Sequence, residues 1–233
     1  MAEVKGFIPV SFLDWPGKVA AVLFLPRCNF RCPFCHNHEL CEKPELFPTI
    51  PTDWLLKKLE ALKGWIDGVC VSGGEPTVSE GLGELVSAIR ELGLGVKLDT
   101  NGSRPEVLER LASRGLLDHV AVDIKAPLEE SSYSKAAGVK VDPQRIVETL
   151  TVLKKHGTGI TVRMTVVPGL HTEEDVLKAA LAVRRFGRLR LQRFDPRNAA
   201  DPQLRSLEPH SEEEFERLKR RVEDALQNSP ETS

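Results

Sequence analysis

Long apolar runs are missing from this sequence of 233 residues. The longest, Val19 to Leu25, falls far short of the roughly 20 residues that a helix needs to cross a bilayer. It reads as a buried strand, and no membrane contact is expected. Surplus charge is missing as well: 32 Lys and Arg against 34 Asp and Glu leave a formal charge of −2. Non-specific nucleic-acid binding needs a basic excess, so a nucleic-acid partner is disfavoured. The opening Met1-Ala2-Glu3-Val4-Lys5-Gly6 has neither the basic start nor the apolar stretch of a secretion signal, so a cytoplasmic location with reduced thiols is expected. No solenoid-period repeat and no low-complexity tract is visible.

What is present suits a soluble globular protein. Apolar residues make up 41% and charged residues 28%, and a chain of this length can be served by one hydrophobic core. No linker is visible. The expectation is a single domain over residues 1–228, with a core of about 19–194, a C-terminal helix at 211–227 and a frayed tail at 229–233.

Short β-branched runs alternate with longer amphipathic stretches, the pattern of βα units on a parallel sheet. The predicted strands are 19–25, 68–72, 95–99, 119–124, 160–167 and 189–194. The predicted helices between them are 53–62, 81–92, 105–114, 144–156 and 173–186. Ser211 with Glu214 three residues on fits a capping box and starts a last helix with Phe215, Leu218, Val222 and Leu226 on one face. Glu213 with Arg217, and Glu216 with Arg220, are expected as i,i+4 pairs on its exposed face. Six such units form either an open barrel or a doubly wound sheet, and in both the ligand gathers at the C-terminal strand ends. The unusual residues fall there: a cysteine loop after the first predicted strand, Ser72-Gly73-Gly74-Glu75-Pro76 after the second, Asp99-Thr100-Asn101-Gly102 after the third, and Asp123-Ile124-Lys125 after the fourth.

Five cysteines in a chain too long to need disulfide staples point to metal or redox chemistry, and three lie within eight residues. Cys28, Cys32 and Cys35, spaced C-x3-C-x2-C, aim three sulfurs at one point. Three thiolates suit a four-iron cubane with one iron left open, whereas most iron-sulfur clusters are closed by four cysteines. The alternative is a structural zinc site completed by Cys41, His36 or His38, although such sites usually use two separated ligand pairs. Cys41 reads as an extra thiol beside the loop and Cys70, inside an apolar strand, as a small buried hydrophobe. Arg163, inside a strand, requires a carboxylate partner.

The cysteine loop with Phe34 before its last cysteine, followed one strand later by Gly73-Gly74-Glu75-Pro76, resembles the radical S-adenosylmethionine (SAM) superfamily. Within it the chain is similar to activating enzymes of glycyl radical enzymes, especially the activating protein of anaerobic ribonucleoside-triphosphate reductase. Asp14-Trp15-Pro16-Gly17, Cys35-His36-Asn37, Asp99-Thr100-Asn101-Gly102, Asp123-Ile124-Lys125 and Val166-Val167-Pro168-Gly169 carry that closer likeness. The resemblance implies a partial (β/α)6 open barrel, a 4Fe-4S cluster on Cys28, Cys32 and Cys35, and SAM chelated to the open iron. It also implies an electron donor such as flavodoxin or ferredoxin, and a glycyl radical enzyme as protein substrate. Gly73 and Gly74 would let the backbone approach the methionine end of SAM, and Glu75 would accept from its ammonium group. Phe34 and His36 would touch the adenine. Asp99, Thr100, Asn101 and Asp123 would line the floor near the SAM carboxylate, where a monovalent cation or Lys125 must offset the like charges. Arg163 would face either SAM or an aspartate.

Two positions depart from the family pattern. Arg27 stands where glycine is usual, and the place of a ribose-contacting histidine is held by Lys178, with His171 too early. Two other functions stay open: a radical SAM enzyme with a small-molecule substrate, and a non-catalytic zinc or iron-sulfur binding module.

Overall fold

The computed structural model describes residues 1–228; the expected tail at 229–233 lies outside the described residues. Among them, seven strands form one sheet in sequential order: β1 (Gly6–Ser11), β2 (Ala20–Leu25), β3 (Gly68–Gly73), β4 (Gly95–Thr100), β5 (His119–Asp123), β6 (Gly159–Val166) and β7 (Leu189–Arg193). From β2 to β7 every pairing is parallel, whereas β1 is antiparallel to β2. A doubly wound sheet must reverse its strand order at a switch point. No reversal occurs here, so each right-handed crossover steps the same way and the helices collect on one face. The result is the open (β/α)6 barrel that the sequence predicts, with β1 added at one edge.

The helices are α1 (His38–Glu42), α2 (Thr52–Ala61), α3 (Leu82–Glu91), α4 (Pro105–Ala112), α5 (Glu130–Ala137), α6 (Gln144–Lys155), α7 (Glu173–Val183) and α8 (Glu212–Asn228). Three elements went unread in the sequence. β1 is an edge strand whose central residues are exposed, so it lacks the alternation of a half-buried strand. α1 is only five residues long. α5, Glu-Ser-Ser-Tyr-Ser-Lys-Ala-Ala, buries one tyrosine and two alanines, too little for a periodic apolar stripe. The Ser211–Glu214 capping box is present, Glu214 N donating to Ser211 Oγ (3.2 Å) and Ser211 N to Glu214 Oε2 (2.8 Å). The expected i,i+4 pairs on α8 are replaced by Glu216–Lys219 within the helix and by Arg221–Glu173 and Arg188–Glu223 across to neighbouring elements. Long side chains reached opposite charges on packed elements as readily as on their own helix.

Register divides the sheet into two faces of opposite character. Val69 pairs with Val96, Val71 with Leu98, Leu98 with Val120, Val120 with Ile160 and Val122 with Val162. This apolar face meets Leu55 and Leu59 of α2, Val86 and Ile89 of α3, Leu108 of α4, Leu150 and Leu153 of α6 and Val176 of α7, all within 1% of full burial. Such burial contributes roughly 1.5–3 kcal/mol per large side chain and holds the barrel. On the other face Cys70 pairs with Lys97, Lys97 with His119 and Asp123 with Arg163. The barrel interior is therefore polar. At its N-terminal end Trp15, 4% exposed, lies against Gly68, Gly95 and His119, far along the strands from the cysteine loop. Its segment plugs the barrel bottom. Trp15→Ala is expected to lower the unfolding free energy by about 3–5 kcal/mol in denaturant titration, with the full set of site residues retained.

Candidate active site

The cysteine loop leaves β2 at Arg27, whose φ of +66° is the only positive value outside glycine among the described residues. That left-handed conformation is why glycine is favoured here, and it places Arg27 O to accept from Glu75 N (2.8 Å). Arginine holds it at a cost of about 1 kcal/mol or more.

The loop is tied to nearly every strand end. Asn37 Nδ2 donates to Gly73 O (2.8 Å), Asn29 Nδ2 to Ser103 Oγ (2.8 Å) and Asn101 Nδ2 to Asn29 Oδ1 (2.9 Å). Arg31 N donates to Ala137 O at the end of α5 (2.8 Å), and Asp201 N to Pro33 O (2.8 Å). His36 Nε2 shares a 2.6 Å hydrogen bond with Asp195 O beyond β7. Phe34 packs edge-on against His171 with ring centres 6.1 Å apart.

A cavity of about 230 Å³ opens at the C-terminal ends of the strands. Cys28, Cys32, Cys35, Phe34 and His36 line it from the loop, Gly73, Gly74 and Glu75 from β3 and its turn, Asp99, Thr100 and Asn101 from the end of β4 and just beyond, and Asp123 and Lys125 from the end of β5 and just beyond. Of the sequence-predicted site residues only Arg163 is not on its wall. It lies one layer below, bonded to Asp123 Oδ1 (2.7 Å) and 3.2 Å from Asp99 Oδ2. Its carboxylate partners are aspartates. The residues that sequence reasoning did not assign are Phe30, Asn37, Cys41, Ser72 and Thr165, which also line the cavity; Asn37 and Ser72 stood inside motifs already quoted, and Phe30 lies within the C-x3-C spacing.

Gly73 and Gly74 serve the chain's own backbone first. A Cβ at Gly73 would lie 2.3 Å from Leu25 O and one at Gly74 1.8 Å from Arg27 O. Glu75 is buried, with Oε1 accepting from Thr77 N (3.0 Å) and Thr100 Oγ1 (2.6 Å) and Oε2 from Asn101 N (2.6 Å). It clamps the end of β3 to that of β4. Burial raises its pKa despite those donors. Thr100 is 3% exposed and its hydroxyl is committed to Glu75, so its side chain belongs to the clamp.

Under the cavity runs a line of alternating charge: Lys97 paired with Asp99, Asp99 with Arg163, Arg163 with Asp123, and Lys125 Nζ 4.0 Å from Asp123 Oδ2. These cations supply the compensation that the sequence reading assigned to a monovalent ion or Lys125. Burial alone would lower the pKa of Lys125, but Asp123 and then Cys32, Cys35 and Cys28 raise it, so it stays an ammonium facing three sulfurs. Burial likewise opposes ionisation of Asp123, yet Arg163 and Lys125 hold its pKa below the usual value. Among the thiols, the contact with Cys41 draws Cys35 down to about 6 and also lowers Cys28, while burial pushes Cys32 up to about 11. Cys70, buried beside Lys97, is pushed up to about 12 by burial and stays an inert thiol.

The donor set suits an iron-sulfur cluster: three thiols share the wall of one cavity with the half-buried ammonium of Lys125.

Residues 22–182 match the radical SAM superfamily. The chain belongs to that superfamily. It is 32% identical over 93% of its length, and 90% of the relative's, to a protein of Methanocaldococcus jannaschii provisionally named a glycyl-radical enzyme activating enzyme. It is also 24% identical to the pyruvate formate-lyase-activating enzyme of Clostridium pasteurianum, over 97% of this chain and 99% of the other. Among solved structures, Streptococcus suis SuiB bound to S-adenosylmethionine superposes with a TM-score of 0.65 at 17% identity, covering 88% of this chain and 49% of that one. The chain is thus a radical SAM enzyme homologous to glycyl-radical enzyme activating enzymes, and the family's cofactors are a 4Fe-4S cluster and SAM. The ribose contact has no histidine to supply it at the expected place: Lys178 is exposed and paired with Glu174 and Glu129, and His171 is buried between Val167 N and Lys125 O.

Two outcomes are expected. Arg27→Gly relieves the left-handed strain and raises the unfolding free energy by about 1 kcal/mol in denaturant titration. Asp123 has a folded-state pKa below its unfolded value, so its stabilisation is complete above the ordinary aspartate range and is lost as pH falls through the folded value. Unfolding curves between about pH 5 and pH 2 should show this loss in the wild type and a shallower one in Asp123→Asn; parallel profiles would contradict it.

Proposed function

We propose that this chain cleaves SAM reductively on a 4Fe-4S cluster held by Cys28, Cys32 and Cys35, and thereby activates a glycyl radical enzyme, specifically an anaerobic ribonucleotide reductase. The observation that carries this reading is the convergence of the three cysteines, the Gly73-Gly74-Glu75 turn and the Asp99, Asp123 and Lys125 floor on one cavity. Near-full-length similarity to activating enzymes supports it.

When bound, the cluster and SAM would supply the redox chemistry, a one-electron reductive cleavage of the sulfonium whose radical product would take a hydrogen atom from a partner's glycine. The chain's residues position and exclude. Cys28, Cys32 and Cys35 would hold three irons, and Lys125 would offset the negative charge of their sulfurs. The Gly73–Gly74 backbone would receive the amino acid end of SAM, with Glu75 Oε2, which accepts a single protein hydrogen bond, free to accept from the ammonium. Lys125 and Asn101 would meet its carboxylate, while Phe34 and His36 would border the adenine and keep water from the reacting centre. A flavodoxin or ferredoxin would deliver the electron. We read residues 1–228 as one radical SAM domain.

The test is electron paramagnetic resonance on the anaerobically reconstituted protein, reduced and mixed with SAM and an anaerobic ribonucleotide reductase, with 5′-deoxyadenosine assayed in the same tube. A carbon-centred doublet that vanishes in Cys32→Ala is expected. Deoxyadenosine without the doublet would keep the cleavage and remove that partner. Colourless protein carrying one zinc would refute the enzyme reading.

A further inference from the structure

His171 is buried, and the chemistry proposed above leaves it unused. Three parts of the site meet on its ring. Nδ1 accepts from Val167 N (3.0 Å) just beyond β6, and Nε2 donates to Lys125 O (2.8 Å) just beyond β5. Phe34 of the cysteine loop packs against the ring edge to face. A backbone N–H only donates and a carbonyl only accepts, so the imidazole is neutral with its proton on Nε2. Turning the ring over would set carbons against both partners, so one orientation is allowed.

The Val166-Val167-Pro168-Gly169 turn brings the ring there. Gly169 takes a φ of +76°, His171 N donates to Val167 O (3.0 Å), and the side chain folds back onto Val167 N. On its other side the ring lines a separate cavity of about 180 Å³ with Thr172, His210 and Glu214, so hydrogen bonds rather than packing all round hold it. What it holds in turn is the main chain of Lys125. Ile124 N still donates to Arg163 O (2.9 Å) across to β6, and the His171 bond ties the chain one residue further on. The Lys125 side chain lines the SAM cavity on a flexible four-carbon stem, so where its ammonium ends depends on where its backbone is fixed.

We propose that His171 is a positioning residue for SAM: braced on Val167 and Phe34, it holds the Lys125 main chain so that the Lys125 ammonium meets the SAM carboxylate. The proposal rests on the SAM site proposed above. It adds to that site a residue that does not line the cavity and acts through one that does. A histidine too early in the sequence to meet the ribose thereby has a role in the wall behind SAM.

Two amide variants separate the two hydrogen bonds. His171→Asn sets an acceptor where Nδ1 stands and keeps the Val167 bond, whereas His171→Gln sets a donor where Nε2 stands and keeps the Lys125 bond. Both are made as full chains, alone and with Lys125→Met, and reconstituted anaerobically with iron counted first. SAM is then bound to the oxidised cluster, which has no electron to cleave it, and its dissociation constant is read by equilibrium dialysis. All should carry about four irons. His171→Asn should bind SAM about tenfold more weakly and His171→Gln within about twofold of wild type, the spread expected of one hydrogen bond lost or kept. In the Lys125→Met background, itself weaker for SAM, His171→Asn should add nothing further. The proposal falls if asparagine binds like wild type, if asparagine and glutamine weaken binding alike, or if the asparagine and Lys125→Met losses add. A merely structural histidine would give one of those results. A wild type that holds no iron, or holds a cluster but no SAM, would remove the SAM site and this proposal together, and the iron count with wild-type dialysis separates that failure from one confined to His171.

Discussion

Four ionisable groups on the inner face of β4, β5 and β6, with Lys125 just beyond β5, are drawn partly out of water together, Lys97 almost completely, and the barrel is organised around making that possible. Lys97, Asp99, Arg163, Asp123 and Lys125 alternate in sign, so each carboxylate lies between two cations. An isolated buried charge would cost several kcal/mol, and breaking one pair would leave its partners exposed to that cost. The alternation depends on register: Asp123 faces Arg163 across β5 and β6, and Lys97 shares a face with Asp99 two residues on. A slip by one residue would send these side chains into the apolar helix layer. Three cations against two carboxylates leave one positive charge over, and Lys125, at the cavity end of the line, directs it toward Cys28, Cys32 and Cys35.

Above that floor the cysteine loop behaves as a hub. Its partners come from β3 through Gly73 and Glu75, from the β4 end through Asn101 and Ser103, from α5 through Ala137, and from beyond β7 through Asp195 and Asp201. No single strand could fix three thiols in a loop of eight residues, but ties from this many directions can. The sulfurs are then placed by the fold before any metal arrives, which lowers the reorganisation needed to bind one. The strain at Arg27 and the glycine pair at 73 and 74 belong to the same arrangement, because they let the β2 and β3 ends approach to backbone contact.

The parallel strands were legible because they are buried on the helix side and carry β-branched runs, and the site was legible because its residues cluster just after those runs. What escaped is what lacks local patterning. β1 exposes its middle, and α5 buries small residues against the loop instead of a stripe against the sheet. Arg163 could be recognised as needing a carboxylate, but the choice between SAM and an aspartate depended on which strand lies beside β6, a matter of topology. Glu75 illustrates the same limit. Its motif marks it as special, yet its hydrogen bonds to Thr100 and Asn101 come from a segment some 25 residues away and appear only when β3 and β4 pair. The position of Cys41 depends on how α1 folds back over the loop, and C-x3-C-x2-C spacing says nothing about that.

The two faces of the sheet divide stability from chemistry. The helix-facing side is almost wholly Val, Ile and Leu and supplies the burial that offsets chain entropy. The inner side breaks the rules that make strands stable: charges, a thiol and a histidine occupy positions where apolar residues would pack at less cost. Because side chains alternate strictly along a strand, neighbours in sequence can serve opposite ends. Val96 and Leu98 anchor the helix layer while Lys97 and Asp99 between and beside them face the site. The fold therefore tolerates an expensive interior without a larger core. It also means that a lesion at Leu98 acts through packing and one at Asp99 through the charge line, although the two residues are adjacent on one strand.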